Sequence, residues 1–334
     1  MWDQLPELIL MQIFSHLDCQ DRVNVDRTCQ AWSHGLAMPM LWRSITIIID
    51  RDLRDDLPST KELMAKYGQH MKNLKLTWSR PYMLPREIRD TSNIKAKEGI
   101  NFLAIIKSKD VQLTTLILTD WFFGTNWNHR SKLLYALAHF LRYQRKLELL
   151  SLINANLSIN DVLRLFRAVS WSCGNTLKYL DIRGAFKDWQ APHSNSRYLR
   201  YLSRLHTLTT FQLDYPALSD HALNCLASTE TKLLKNLHIS IRDSDSRQHT
   251  IGDAAWHNLV TVCPQLAVLD ILREIFQLQM DCKTNFETIH VKPRNVNTQN
   301  RAILDEIGYQ YNHKLLNQGI DFRMEDPVSA LHFY

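Results

Sequence analysis

The chain has 334 residues, of which 45% are hydrophobic and 22% charged, and it carries a formal net charge of +6. This composition predicts a large folded core, and no apolar run reaches the roughly 18 residues that a membrane-spanning helix needs. The 40 basic and 34 acidic residues are spread along the chain, which disfavours a dedicated nucleic-acid-binding protein.

Six cysteines are scattered through the sequence. None forms a Cys-x-x-Cys pair or stands at a spacing typical of zinc ligands, so we expect reduced thiols and no metal site. Met1 is followed almost at once by an apolar helical pattern, which leaves no room for a signal peptide. The sequence therefore predicts a cytoplasmic or nuclear protein, or one found in both compartments.

Three short apolar patterns fill the N-terminal segment. The first predicts a helix, because its members recur at three-to-four-residue steps: Leu5, Leu8, Ile9, Ile13 and Leu17. A polar break at residues 18–21 begins a second predicted helix, and residues 38–42 predict a third piece of one turn. Three such short helices cannot enclose a core of their own, so we expect part of this apolar surface to bind a partner.

This segment closely resembles an F-box, from Leu5 to Arg43. The matching positions are Leu5-Pro6, Leu8, Ile9, Ile13-Phe14, Leu17, Asp21, Cys29, Trp32 and Leu41-Trp42. One departure is Arg27-Thr28, where F-boxes usually have an apolar residue before the cysteine. We expect this departure to weaken packing within the second helix.

The resemblance implies a domain that docks on the Skp-type adaptor of a cullin–RING ubiquitin ligase, while the rest of the chain selects a protein substrate. It also implies which residues bind the adaptor: Leu5, Pro6, Leu8, Ile9, Ile13, Phe14, Leu17, Leu41 and Trp42.

From residue 71 onward an apolar-x-x-apolar-x-apolar pattern recurs eight times. The copies begin at Met71, Leu113, Leu147, Leu177, Leu208, Leu234, Leu266 and Phe286. The last two apolar positions alternate as in a strand, and a helical pattern fills most intervals. Strand–helix units of this period cannot bury their own faces and must stack into a solenoid. Separate βα units in a doubly wound sheet are disfavoured, because no Gly-rich phosphate turn follows any strand.

The repeated pattern resembles leucine-rich repeats, from about Met71 to Val291. Its copies are longer than typical repeats, and Ala155, Ala185 and Pro216 stand where the family has Asn or Cys. We therefore expect an irregular, open arc without the usual ladder of buried polar side chains.

The predicted fold class is α/β: a three-helix F-box followed by an irregular leucine-rich-repeat solenoid, with parallel strands on its concave side and helices outside. We place the F-box at residues 1–44, a linker or N-terminal cap at 45–70, and the repeat domain with its C-terminal cap at 71–334. Within the linker, Ile45, Ile47 and Ile49 alternate as in a strand.

No catalytic motif is present: the sequence has no Gly-x-Ser-x-Gly elbow, phosphate loop, His-Glu-x-x-His motif or reactive-cysteine context. We predict no catalytic residue and no cofactor, and the resemblance implies a non-catalytic substrate-recognition subunit of a Skp–cullin–F-box ligase. Two alternatives stay open. One is a nucleic-acid-binding solenoid in which Trp78, Trp121 and Trp127 stack bases; the other is a scaffold that does not lead to degradation.

The substrate site is predicted on the strands of the later repeats, where alternate residues point away from the core. On one row we expect Asp181, Gln212, His238, Asp270 and His290, so that Asp270 lies beside His238. On the next row Arg183 should face Asp214, whereas Asp181 and Gln212 have no charged partner on their own row. The predicted substrate-binding residues are Tyr179, Asp181, Gln212, His238 and Asp270, which suit a segment carrying Lys or Arg.

Overall fold

The computed structural model describes residues 5–53, 60–78, 85–119, 121, 130–187, 192–227, 233–240, 251–263, 265–269, 288–291 and 321–324. The chain divides into two compact units. The first comprises Met1–Leu177 and Ala185–Lys187, and the second comprises Lys178–Gly184 and Asp188–Tyr334.

The first unit begins with three short helices and a 3₁₀ turn: α1 (Glu7–Ser15), α2 (Cys19–Thr28), α3 (Gln30–Gly35) and Pro39–Trp42. Asp18 caps α2, because its side chain accepts a hydrogen bond from the backbone N–H of Asp21. The Arg27-Thr28 departure falls at the last turn of α2, and both side chains are exposed. These two residues therefore remove no packing from the domain, contrary to our expectation.

The same unit continues into a parallel sheet whose strands follow chain order: β1 (Ser44–Ile48), β2 (Asn73–Thr77), β3 (Thr115–Thr119) and β4 (Leu149–Ser151). Its helices are α4 (Ile49–Asp52), α5 (Thr60–Tyr67), α6 (Pro85–Ser108), α7 (Arg130–Leu141) and α8 (Ile159–Ser172). Ile45 and Ile47 of β1 are buried and pair in register with Leu74 and Leu76. The predicted strand after Trp42 is confirmed for Ile45 and Ile47, and it is the first strand of this sheet, whereas Ile49 begins α4.

The second unit also contains parallel strands in chain order: β5 (Tyr179–Asp181), β6 (Thr210–Asp214), β7 (Asn236–Ser240) and β8 (Ala267–Leu269). Its described helices are α9 (Ser196–Leu202), α10 (Asp220–Leu226) and α11 (Asp253–Val262). The eighth repeat supplies β9 (Thr288–Val291), which pairs in parallel with β10 (Asp321–Met324). No repeat pattern predicted β10.

Strands in both units begin with the same backbone geometry. The N–H groups of Lys72 and Asn73 both donate to the carbonyl of Arg43, each at 2.9 Å. In the second unit, the N–H groups of Thr209 and Thr210 both donate to the carbonyl of Lys178, at 2.8 and 3.0 Å. This repetition, with buried apolar residues alternating along the strands, confirms the predicted α/β fold with a parallel sheet.

Leucine-rich repeats usually have a ladder of buried polar side chains, which was expected to be missing here. At this position the main chains of two loops are hydrogen-bonded to each other instead. Ala155 and Ala185 are fully buried. Next to them, the N–H of Leu157 donates to the carbonyl of Ala185 at 2.6 Å, and the N–H of Lys187 donates to the carbonyl of Leu157 at 3.0 Å. Main-chain groups therefore bond to each other here, as buried backbone groups must.

Candidate functional site

Helix α1 is apolar on two faces. Leu10 and Phe14 are buried in the N-terminal domain, at 4% and 1% exposure. Leu8, Ile9 and Ile13 are instead 71%, 43% and 41% exposed. Large apolar side chains grouped on a solvent-facing helix surface indicate an interaction site.

Phe14 supports this surface from within. Its ring meets Trp32 of α3 edge to face, with the centroids 5.7 Å apart. A Cβ atom placed on Gly35 would lie 3.1 Å from the Phe14 ring. Glycine therefore allows α3 to approach α1 closely at this point.

Leu41 and Trp42, in the 3₁₀ turn, are also buried, at 3% and 0% exposure. The indole Nε1 of Trp42 donates to the carbonyl of Leu36 at 2.6 Å. The preceding residue, Met40, is 64% exposed, and its turn packs against α1. Met40 therefore adds a fourth exposed apolar side chain, and we call Leu8, Ile9, Ile13 and Met40 the apolar face.

The nine residues predicted to bind an adaptor fall into two groups. Pro6 is exposed and Leu5 and Leu17 are partly exposed, so they border Leu8, Ile9 and Ile13 on the outside of the domain. For the other group the prediction of an exposed binding residue is corrected. Its members lie in the core and support the surface from within: Phe14, Leu41 and Trp42. Sequence reasoning missed Met40, although it stands next to the Leu-Trp signature.

Helix α2 carries two buried polar groups, Cys19 and Arg22. The Arg22 guanidinium donates to the carbonyl of Leu41 at 2.5 Å, and burial lowers its pKa. Burial, and after it the charge of Asp52, raises the pKa of the Cys19 thiol to about 12. A thiol held neutral is a poor nucleophile, so Cys19 serves packing rather than chemistry.

In the second unit, the register places three of the predicted substrate residues in one row. Asp181 pairs with Gln212, and Gln212 pairs with His238. Asp181 and Gln212 are buried, at 3% and 8% exposure, while His238 and Tyr179 are partly exposed. Among the described residues, the Gln212 Oε1 atom has no hydrogen-bond partner. The partly exposed members of the predicted set are therefore His238, which lies on this row, and Tyr179, which lies on the row of Thr210.

Asp181 forms a close ion pair with Arg183, which lies just beyond the end of β5. The Asp181 carboxylate accepts hydrogen bonds from Nε and Nη2 of Arg183, at 3.0 and 2.9 Å, and from the Arg183 backbone N–H at 3.0 Å. The Asp214 carboxylate accepts the N–H of Gly184 at 2.6 Å, and Gly184 adopts a positive φ of 62°. Asp181 was predicted to have no charged partner on its own row; its charged partner is instead Arg183, two residues later in the chain.

Asp270 lies outside the residues that the structure describes. The observed register nevertheless pairs His238 with Leu269, and Leu237 with Val268. The neighbour of His238 on this row is therefore Leu269, which corrects the expectation that Asp270 lies beside His238.

A family model described as F-box-like matches residues 2–48, from the N-terminal segment to the end of β1. The chain is also 22% identical over 278 residues to F-box/LRR-repeat protein 21 of Mus musculus, covering 80% of this chain and 59% of that protein. It is 34% identical over 72 residues to F-box/LRR-repeat protein 8 of Bos taurus, covering 22% of this chain and 18% of that protein.

The chain has an F-box-like domain at its N-terminus, followed by an LRR-type region. It spans about three fifths of the length of the mouse protein that it matches. The apolar face lies within the segment that the F-box-like model matches, and the row of Asp181, Gln212 and His238 lies in the LRR-type region.

Two of the three tryptophans proposed to stack bases, Trp78 and Trp121, are core residues. Trp78 and Trp121 are 8% and 0% exposed, their rings meet edge to face at 6.4 Å, and the Trp121 indole donates to the carbonyl of Leu76. Trp127 lies outside the described residues. Base stacking needs an accessible ring face, so Trp78 and Trp121 cannot provide it.

Within the described part of the chain, no group of three or more His, Cys, Asp or Glu side chains could hold a metal ion. The described helices include none that is both long enough and apolar enough to cross a membrane.

Proposed function

We propose that this F-box protein is the substrate-recognition subunit of a Skp–cullin–F-box type ubiquitin ligase. The observation that carries the proposal is the apolar face, whose four large side chains are 41% to 71% exposed on the F-box-like domain. Covering apolar surface is favourable by about 25 cal/mol per Å². A Skp-type adaptor is the partner that an F-box implies, and through it the chain would join a cullin–RING ligase.

In this proposal the LRR-type region recruits a protein substrate. Tyr179 and His238 are the partly exposed members of the predicted substrate site, while Asp181 and Gln212 lie beneath the surface. Aromatic side chains combined with polar groups support a protein-recognition role. The chain itself contributes proximity, which raises the effective concentration of the substrate at the ligase, and no residue is assigned to catalysis.

The cysteines are compatible with a reducing compartment. Five of them are free in the described residues: Cys19, Cys29, Cys173, Cys225 and Cys263. We therefore place the assembly in the cytoplasm, the nucleus or both.

The proposal is tested by affinity purification from cells that express an inactive cullin, with ubiquitination of the co-purifying proteins as the readout. The wild-type chain should retain the adaptor and at least one protein that becomes ubiquitinated when the active cullin is restored. A variant with Leu8→Ser and Ile13→Ser should lose the adaptor and the ubiquitination.

The matched control carries Tyr135→Ser and Leu233→Ser, which also remove two exposed large hydrophobic side chains but lie outside the apolar face. It should behave as the wild type. Adaptor binding without any ubiquitinated partner would contradict the substrate-recognition role, and adaptor binding by the Leu8/Ile13 variant would contradict the docking surface.

A further inference from the structure

Most of the net charge of the chain lies in a segment that the proposed function does not use. Residues 96–175 contain ten Lys or Arg against five Asp or Glu, so about a quarter of the chain carries +5 of its +6. Two of those acidic side chains already have partners: Glu98 is buried against Lys61, and Asp161 bonds to Ser158 and Arg164. The basic excess of the segment therefore lies largely on its surface.

One loop after α7 concentrates this charge, and two glutamine side chains hold its backbone. Gln112 donates from Nε2 to the carbonyl of Tyr143 at 3.1 Å and accepts the N–H of Arg145 at 2.9 Å. Gln144 is 1% exposed; its Oε1 accepts the N–H of Leu113 at 2.7 Å, and its Nε2 donates to the carbonyl of Val111 at 2.9 Å. The other four residues of the loop 142–146 are exposed: Arg142, Tyr143, Arg145 and Lys146. A loop held in this way presents its outer side chains with little further ordering cost on binding.

The ends of the neighbouring helices bring further side chains to this loop. At the end of α6, the Lys107 ammonium lies 3.9 Å from the centroid of the Tyr143 ring. At the end of α8, the Ser172 hydroxyl donates to the carbonyl of Leu141 and the Cys173 thiol donates to the carbonyl of Gln144, so the end of α8 that carries Trp171 meets this loop. Trp171 is 66% exposed. We call the resulting surface the basic–aromatic edge: Lys107, Arg142, Tyr143, Arg145, Lys146 and Trp171.

Helix electrostatics explain only part of this surface. Cations near helix C-termini interact favourably with the helix dipole, which accounts for Lys107 and Arg142. The dipole gives no reason for Tyr143 and Trp171 to be 49% and 66% exposed. Trp, Tyr and Arg are the residue types enriched at the centres of protein–protein interfaces.

We propose that the basic–aromatic edge binds an acidic segment of a protein partner. Carboxylates of that segment would pair with Arg142, Arg145 and Lys146, and an apolar side chain between them would pack on Trp171. Protein is favoured over nucleic acid because Lys107 already covers one face of the Tyr143 ring, where a base would have to stack. This site shares no residue with the apolar face or with the predicted substrate site.

The test uses the full chain purified with its adaptor and a fluorescein-labelled peptide of alternating Glu and Phe, compared with a peptide of alternating Gln and Phe. The Glu peptide should bind more tightly. The triple variant Arg142→Glu, Arg145→Glu, Lys146→Glu should weaken its binding by about tenfold or more, as reversal of several interface charges commonly does.

The matched control reverses three exposed basic residues of the second unit, Arg197→Glu, Arg200→Glu and Lys235→Glu, and so changes the net charge equally. It should bind the Glu peptide within about twofold of the wild type, because none of these three residues belongs to the basic–aromatic edge. Trp171→Ser should weaken the binding that remains at high salt. If the first triple variant melts at a lower temperature, Arg145→Gln with Lys146→Gln is used in its place.

Three results would overturn the proposal. Equal weakening of peptide binding by both triple variants would mean that the net charge of the chain, and not this site, determines the affinity. Equal binding of the Glu and Gln peptides would exclude recognition of carboxylates. Tighter binding of a labelled oligothymidine than of the Glu peptide, lost in the first triple variant, would assign the edge to nucleic acid instead.

Discussion

Trp42 of the F-box stacks on Tyr67 of α5, with ring centroids 4.8 Å apart and planes 15° from parallel. The Arg22 guanidinium lies 5.4 Å from the centroid of the Trp42 ring, and the Lys66 ammonium lies 3.8 Å from the Asp26 carboxylate. These contacts join α2 and the 3₁₀ turn to the helix that precedes β2. Within the first unit, the domain that bears the apolar face is therefore packed directly onto the segment that precedes the first repeat.

Tyr67→Leu should destabilise the protein by about 1 kcal/mol more than the loss of buried apolar area alone would, because the stacking contribution of an aromatic pair is lost. Tyr67→Phe keeps the ring and should stay close to the wild-type stability. The measurement is the denaturant midpoint of the chain bound to its adaptor. Equal midpoints for the two variants would mean that the stacked pair contributes nothing specific.

Cys19 gives a pH-dependent prediction. Burial raises its pKa from 9.0 to about 12, so the folded protein keeps the thiol proton where the unfolded chain loses it. The associated stability is present below pH 9 and is lost as the pH rises from 9 towards about 12. Cys19→Ala should reduce this loss, measured as the change in unfolding midpoint across that interval. The same slope in both proteins would contradict the assignment.

The sequence predicted the repeated strands well but not the buried face of α1. Each apolar-x-apolar pair specifies a strand with one buried side. Leu116 and Leu118 of β3, and Leu237 and Ile239 of β7, are buried as this alternation requires. Helical spacing shows which residues share a face, but α1 is apolar on both. Only the packing of Phe14 against Trp32 decides that Phe14 points inward.

The register of β8 shows a second limit of sequence reasoning. Residues 266–269 read Leu-Ala-Val-Leu, an apolar run without alternation that allows two registers one residue apart. The structure pairs Val268 with Leu237 and Leu269 with His238, one residue from the register that the pattern predicted. The contact of Asp181 with Arg183, in contrast, was accessible from their spacing, because an Asp side chain commonly accepts a hydrogen bond from the backbone N–H two residues on.

Asp181→Asn should destabilise the protein by about 2 kcal/mol, between the values for surface and fully buried ion pairs, because Asp181 is buried and Arg183 is partly exposed. A double-mutant cycle with Arg183→Met measures the coupling between the two side chains. A coupling energy near zero would show that the pair contributes nothing. The cycle also separates loss of stability from loss of substrate in Asp181 variants.

Tyr179 and His238 provide the cleaner test of the predicted substrate site, since both are partly exposed. Tyr179→Ala with His238→Ala should reduce substrate capture by about tenfold or more if they contact the substrate. Adaptor binding and melting temperature should change little. Lys235→Ala, an exposed neighbour of β7, serves as the control. Unchanged capture by the double variant would place the substrate elsewhere.

The most direct test of the account is the affinity of a purified Skp-type adaptor for this chain, measured by isothermal titration. Leu8→Ser with Ile13→Ser should weaken binding by about a hundredfold or more, since each well-packed anchor contributes about 2 kcal/mol. Tyr135→Ser with Leu233→Ser should leave the affinity unchanged. An unchanged affinity in the Leu8/Ile13 variant, or no adaptor binding by the wild-type chain, would contradict the account.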